Sequence, residues 1–149
     1  MTPKTKRTIL FTFLFLVATG AGVGYYLYNK KPLNPSDVSP DTKTTSVELY
    51  QAFAADSVAA KKKFCRNDEV VEVSGTVTGI SQNQDKQTIV LLKTNSEGAS
   101  VNCTIEAAAL NIKEGDSVNI KGFCPGMGAG DADLGIMADV YMIRCYLAK

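Results

Sequence analysis

From Ile9 to Tyr28 the chain reads ILFTFLFLVATGAGVGYYLY, 20 residues without one charge. A run of that kind restricts its own conformation severely. About 20 apolar residues in helix match the hydrocarbon thickness of a bilayer. Tyr25, Tyr26 and Tyr28 sit where an aromatic belt would lie, with Lys30 and Lys31 just beyond. The competing reading is a cleaved signal peptide, whose apolar core spans only about 7–15 residues. Ala18-Thr19-Gly20 would supply its small-residue site. The length of the run favours an uncleaved span. No cysteine precedes Cys65, which excludes a lipidated cysteine after the run. Lys4, Lys6 and Arg7 favour a cytoplasmic tail over residues 1–8, opposed by Lys30 and Lys31 alone. The expectation is a transmembrane helix over 9–28 with everything after it outside the cytoplasm, where disulfides are permitted.

Residues 29–45 come next as an expected flexible linker. KPLNPSDVSPDTKTT holds three prolines and almost nothing apolar, so it cannot bury a core. The folded domain is expected over 46–149. Ser46 is placed to cap a helix in which Leu49, Tyr50 and Phe53 share one face. A second short helix, SVAAKKKF, starts after Asp56. Both read as a helical lead-in that covers one end of a β-barrel, and Lys61-Lys62-Lys63 reads as a solvated face.

The barrel itself begins at Glu69, where the hydrophobic period changes to two. In VVEVSGTVTGIS, Val71, Val73, Gly75, Val77 and Gly79 fall on one face, and Glu72, Ser74, Thr76 and Thr78 on the other. Glycines inside such a strand predict bulges or tight coiling. SQNQDK turns the chain into QTIVLLKT, and ASVNCTIE then alternates with Val101, Cys103 and Ile105 inward. AAALNIKEGD is a short helical or turn connection. Ser117–Cys124 gives a fourth strand with Val118, Ile120 and Gly122 inward, and the glycine-rich PGMGAGDADLG leads to a last strand around Ala138–Leu147. Five short strands, no long helix among them and a glycine-kinked first strand predict a mainly β fold, a five-stranded OB-fold barrel.

These residues bring a resemblance with them. The helix with Glu48-Leu49, then Ala59-Ala60 before a basic-aromatic stretch, then VEVSGTV, VNCTI, EGDSVNIKGFCPG and DVYMIRCYL make the stretch from Ser46 onward similar to the tRNA_anti-like OB-fold proteins. Those are small extracytoplasmic or membrane-attached proteins of Bacteroidetes-type bacteria. The resemblance implies an OB fold in a bacterial cell envelope, here a single-pass inner-membrane protein with a periplasmic domain. The family's name implies likeness to an anticodon-binding OB domain. The shared motifs are hydrophobic and structural, so they bear on fold rather than activity.

The chain holds no histidine, hence neither the commonest general base near neutral pH nor the commonest metal ligand. Serine–histidine catalysis is excluded with it. Four cysteines remain. Cys103, Cys124 and Cys145 fall at inward positions of the third, fourth and fifth strands, neighbours in an OB barrel. A disulfide joining Cys124 and Cys145 is the favoured reading, stabilising by about 3 kcal/mol through loop closure. Three inert buried thiols are its rival, and the redox state of Cys65 and Cys103 stays open. No C-x-x-C pair exists to suggest zinc or redox catalysis. Asp131 and Asp133 imitate the opening of a calcium loop without its closing glutamate, and read as an exposed turn. No catalytic residue, metal or cofactor is expected.

From Ser36 onward 11 Lys and Arg face 15 Asp and Glu, so the folded part is mildly acidic. Phosphate backbones call for concentrated positive charge, and OB faces that bind single strands add stacking aromatics. On one parity the second and third strands present Thr88, Val90, Leu92, Asn102 and Thr104 outward; neither parity supplies an aromatic. Tyr50, Phe53, Phe64, Phe123, Tyr141 and Tyr146 fall mostly at core-like or helical positions. The expectation is a non-enzymatic binding or interaction module displayed on a membrane, contacting an envelope protein, a glycan or a small ligand. A single-stranded nucleic-acid binder and a cysteine-based redox or metal protein are its rivals.

Overall fold

A computed structural model describes residues 3–29, 33–66, 69–106, 111–131, 133 and 137–148. The chain divides into two compact units, Met1–Leu33 and Asn34–Lys149.

The first unit is one helix, α1, Pro3–Asn29. Phe13, Phe15, Leu16, Val17 and Val23 on it are all more than half exposed. Among the described residues no helix is long and apolar enough to cross a membrane. Ile9, Leu10, Phe11 and Leu14 of the uncharged run have side chains outside those described. A helix forms at this place, but the transmembrane span expected over 9–28 is not supported by it.

The second unit begins earlier than the expected boundary at Ser46. The segment read as a flexible linker is ordered from Asn34: it turns at Asn34–Asp37, buries Pro35, and forms β1, Thr42–Thr45, parallel to the next strand. Its polar groups find backbone partners instead of a core. Lys121 Nζ donates to the carbonyls of Ser36 and Val38 at 2.8 and 3.2 Å, and Val70 N donates to the Asp41 carboxylate at 2.8 Å.

Two helices come after β1, α2 (Ser46–Ala55) and α3 (Ser57–Phe64). The cap of α2 is Thr45, not Ser46. Thr45 Oγ1 accepts from Glu48 N at 3.1 Å, while the Glu48 carboxylate accepts from Thr45 N at 3.2 Å, a reciprocal capping box. Ser46 is instead buried, donating to the Lys93 carbonyl at 2.6 Å. Asp56 caps α3, accepting from Val58 N and Ala59 N. The Thr45 backbone bond holds the Glu48 carboxyl below its ordinary value. Its contribution is therefore full above the unfolded value and lost as pH falls through the lowered one. Thr45→Ala is expected to cost about 1 kcal/mol in urea denaturation at neutral pH.

Five strands close the barrel: β2 (Val71–Gln82), β3 (Thr88–Lys93), β4 (Ser100–Ile105), β5 (Ser117–Met127) and β6 (Val140–Leu147). The order is β1-β2-β3-β4-β6-β5, with β2 also pairing β5. Closure rests on β2, whose first half pairs β5 and whose second half pairs β3, with a bulge between Val77 and Gly79. That is the OB barrel the strand pattern predicts. Leu49, Phe53, Ala60 and Phe64 from the two helices join the core formed by Val71, Val73, Val90, Leu92, Val101, Ile105, Ile120 and Met142. Val90 and Leu92 are fully buried, which corrects the parity that set them outward. TIVLLK is apolar at nearly every position, so alternation could not orient it. Residues 107–110 of the connection between the third and fourth strands lie outside the described residues.

Candidate functional site

Strand pairing builds one continuous row across the barrel's outer surface. Gly79 pairs Leu91, Leu91 pairs Asn102, Asn102 pairs Tyr141, and Tyr141 pairs Gly126. Tyr141 is 42% exposed and Ile143 43%, against the expectation that the domain's aromatics are core-like. The last strand holds its alternation through Ile143. Arg144 then takes a left-handed conformation (φ 51°), a bulge that returns Cys145 to the interior while Tyr141 and Ile143 stay outside. The Arg144 guanidinium lies over the Phe123 ring at 5.7 Å.

Tyr141 lies over backbone. A Cβ on Gly128 would meet its ring at 2.7 Å, so only glycine lets the ring lie flat there. Pro125, Gly126, Met127, Gly128, Tyr141 and Ile143 line a shallow recess of about 290 Å³. A larger one, about 510 Å³, opens at the other end of the row, with Thr78, Leu91, Lys93, Thr94, Glu97 and Ser100 among its lining. Its floor is held by short bonds. Thr94 Oγ1 donates to the Ala99 carbonyl at 2.7 Å, and the Asp139 carboxylate accepts from Ser100 N at 2.7 Å and Ser100 Oγ at 3.0 Å. Apolar, amide and hydroxyl groups thus alternate along a surface whose recesses carry Lys93 and Glu97 as their charges.

The thiols lie on the opposite side of the sheet. All four are free, and Cys124 and Cys145 are not joined. Instead Cys124 Sγ lies 3.5 Å from Cys65 Sγ, and the Cys145 thiol is hydrogen-bonded with the Cys103 thiol. The bulge at Arg144 explains the exchange of partners, because it sets Cys145 opposite Ile105 on β4. Burial pushes the Cys124 and Cys65 thiols up. The bond with Cys103, followed by burial, pushes Cys145 well up. Cys103 and Cys145 are fully buried in a closed interior that reagents do not reach, whereas Cys65 is only half-buried. Asp131 and Asp133 form a local turn, with Asp133 N donating to Asp131 Oδ1 at 3.0 Å.

Comparison with protein families gives one match, the tRNA_anti-like model over residues 1–134. The chain belongs to the tRNA_anti-like family. The match includes the N-terminal helix, which the resemblance from Ser46 onward did not, and it ends before β6. The outer row of this tRNA_anti-like barrel therefore combines matched strands with a last strand, bearing Tyr141, outside the match. Among curated proteins no relative matches. Tyr141 and the Cys65–Cys124 pair are the features the sequence alone did not single out. Alternation of Tyr141 with Val140 and Met142 was the available signal for the first, and none existed for the second.

Proposed function

We propose that this chain is a membrane-anchored, extracytoplasmic, non-catalytic OB module that holds an uncharged ligand, a glycan strand, on the outer face of β3, β4 and β6. The row Leu91–Asn102–Tyr141 between two recesses carries the reading. A half-exposed aromatic offers the apolar face that a sugar ring lies on, and the neighbouring amide and hydroxyls meet its edge. OB barrels place oligonucleotide and oligosaccharide ligands on this same face. The net acidity of the folded part favours the uncharged member of that pair.

The anchor is supported by the uncharged run Ile9–Tyr28. With Lys4, Lys6 and Arg7 on the cytoplasmic side, the barrel stands in the periplasm of a bacterial inner membrane. A histidine-free chain supports a module without serine–histidine or histidine acid–base catalysis.

Full-length protein in lipid nanodiscs, titrated with neutral oligosaccharides and with single-stranded oligonucleotides, tests the reading. Saccharide binding insensitive to salt is expected, weakened about tenfold by Tyr141→Ala through lost ring contact. Binding of oligonucleotides alone, with steep salt dependence, would replace the glycan by nucleic acid. Capture of a protein partner that leaves Tyr141→Ala unaffected would move the site elsewhere.

A further inference from the structure

Cys65 and Cys124 are far apart in sequence, and the fold sets their sulfurs 3.5 Å from each other. Cys65 caps the C-terminus of α3 with non-helical backbone (φ −116°, ψ 40°) and is half-buried, whereas Cys124 is 4% exposed on β5. A disulfide needs sulfurs about 2.0 Å apart. Closing the remaining gap calls for a side-chain rotation at Cys65, whose backbone has left the helix. The other pair differs: Cys103 and Cys145 are both 0% exposed. A reagent reaches them only when the barrel opens.

We propose that Cys65 and Cys124 form a thiol–disulfide exchange site, closed by a disulfide-bearing oxidant into a bond that bolts α3 onto β5. In the first step the Cys65 thiolate attacks one sulfur of the oxidant's disulfide, making a mixed disulfide and releasing one oxidant thiol. In the second step Cys124 sulfur attacks Cys65 sulfur. The Cys65–oxidant bond breaks, and the Cys124 proton leaves with the second oxidant thiol. Two protein thiols are oxidised and one external disulfide is reduced to two thiols. The half-exposed member is the entry point and the buried one resolves, so the order is set by access. Lys61, one turn before Cys65, lies against the same stretch of β5: its Cε is 3.2 Å from where a Cβ on Gly126 would stand. Burial opposes the Cys65 thiolate, while the hydrogen bond with Cys124 and the Lys61 charge favour it. The proposal does not depend on the ligand of the outer face.

Full-length protein in detergent micelles, equilibrated with oxidised glutathione, alkylated and mapped without reduction, tests the site. The expected product is a peptide linking Cys65 to Cys124, with Cys103 and Cys145 alkylated only after unfolding. The oxidised form should melt roughly 10 °C higher, since the bond closes a long loop. Reductant should reverse the shift, and Cys65→Ser, a change at a half-exposed position, should abolish it. A Cys124–Cys145 link would overturn the proposal. So would four alkylatable thiols after oxidation, or an equal melting shift in Cys65→Ser.

Discussion

Gly122→Ala is expected to lose the native barrel, or to leave it with a urea midpoint too low for the protein to stay folded under ordinary conditions. A Cβ at this position would lie 2.7 Å from Cys145 Sγ, 2.9 Å from the Ile143 carbonyl oxygen and 3.2 Å from Cys145 Cα. Two of those three atoms are backbone of β6, so no side-chain rotation relieves the clash, and β5 must part from β6. These strands share the bulge that keeps Cys145 inside. Overpacking a close-packed interior costs about 1–3 kcal/mol when side chains can adjust, and more when backbone must move. Native domains have only about 5–15 kcal/mol to lose. Gly79→Ala is the matched control. Its Cβ would meet only Leu91 Cδ1 at 3.4 Å, an ordinary contact, so its midpoint should stay near wild type. Equal losses from the two variants would mean that close approach at Gly122 is not what holds the strands together.

Phe53→Ala should be the costliest truncation in the helical lead-in, at about 3–5 kcal/mol. Phe53 is 2% exposed and is the largest of the fully buried side chains. From α2 it reaches the barrel end near Gly126, whose added Cβ would lie 4.0 Å from its ring. Removing it leaves a cavity between helix and barrel that strands on two sides cannot collapse into. Val58→Ala, on the exposed side of α3, should change the denaturation midpoint by less than about 0.5 kcal/mol. A small effect at Phe53 would mean that the helices cover the barrel without being part of its core.

Half-buried strands were readable because their two faces differ chemically. Val101, Cys103 and Ile105 alternate with Ser100, Asn102 and Thr104, and all three are buried as that alternation predicts. β3 defeats the same logic because Ile89 and Leu91 are apolar on the outer face. β1 was missed for the converse reason: TKTT has no apolar face at all, and it is held by pairing with Val71–Ser74. Thr45 and Ser46 are both hydroxyl residues suited to capping, and only the geometry distinguishes the cap from the buried donor to Lys93.

The thiol partners could not be read at all. Inward placement of three cysteines was correct, but which sulfurs meet depends on one left-handed residue at Arg144 and on α3 lying against β5. A single backbone dihedral and a long-range packing choice leave no local mark in composition or period. The outer face was obscured too. Tyr141 sits between the buried Val140 and Met142 in a strand that is apolar on both faces, so its own side could not be read from the pattern.

Amide chemical-shift mapping on the unit from Asn34 to Lys149, which forms its own compact body, tests the placement of the binding face most directly. With neutral oligosaccharides added, the shifts should gather on Leu91, Asn102, Ser100, Gly128 and Tyr141 and vanish in Tyr141→Ala. Shifts collected instead around Lys61–Lys63 or along β1, or no shift with any saccharide tried, would contradict the account.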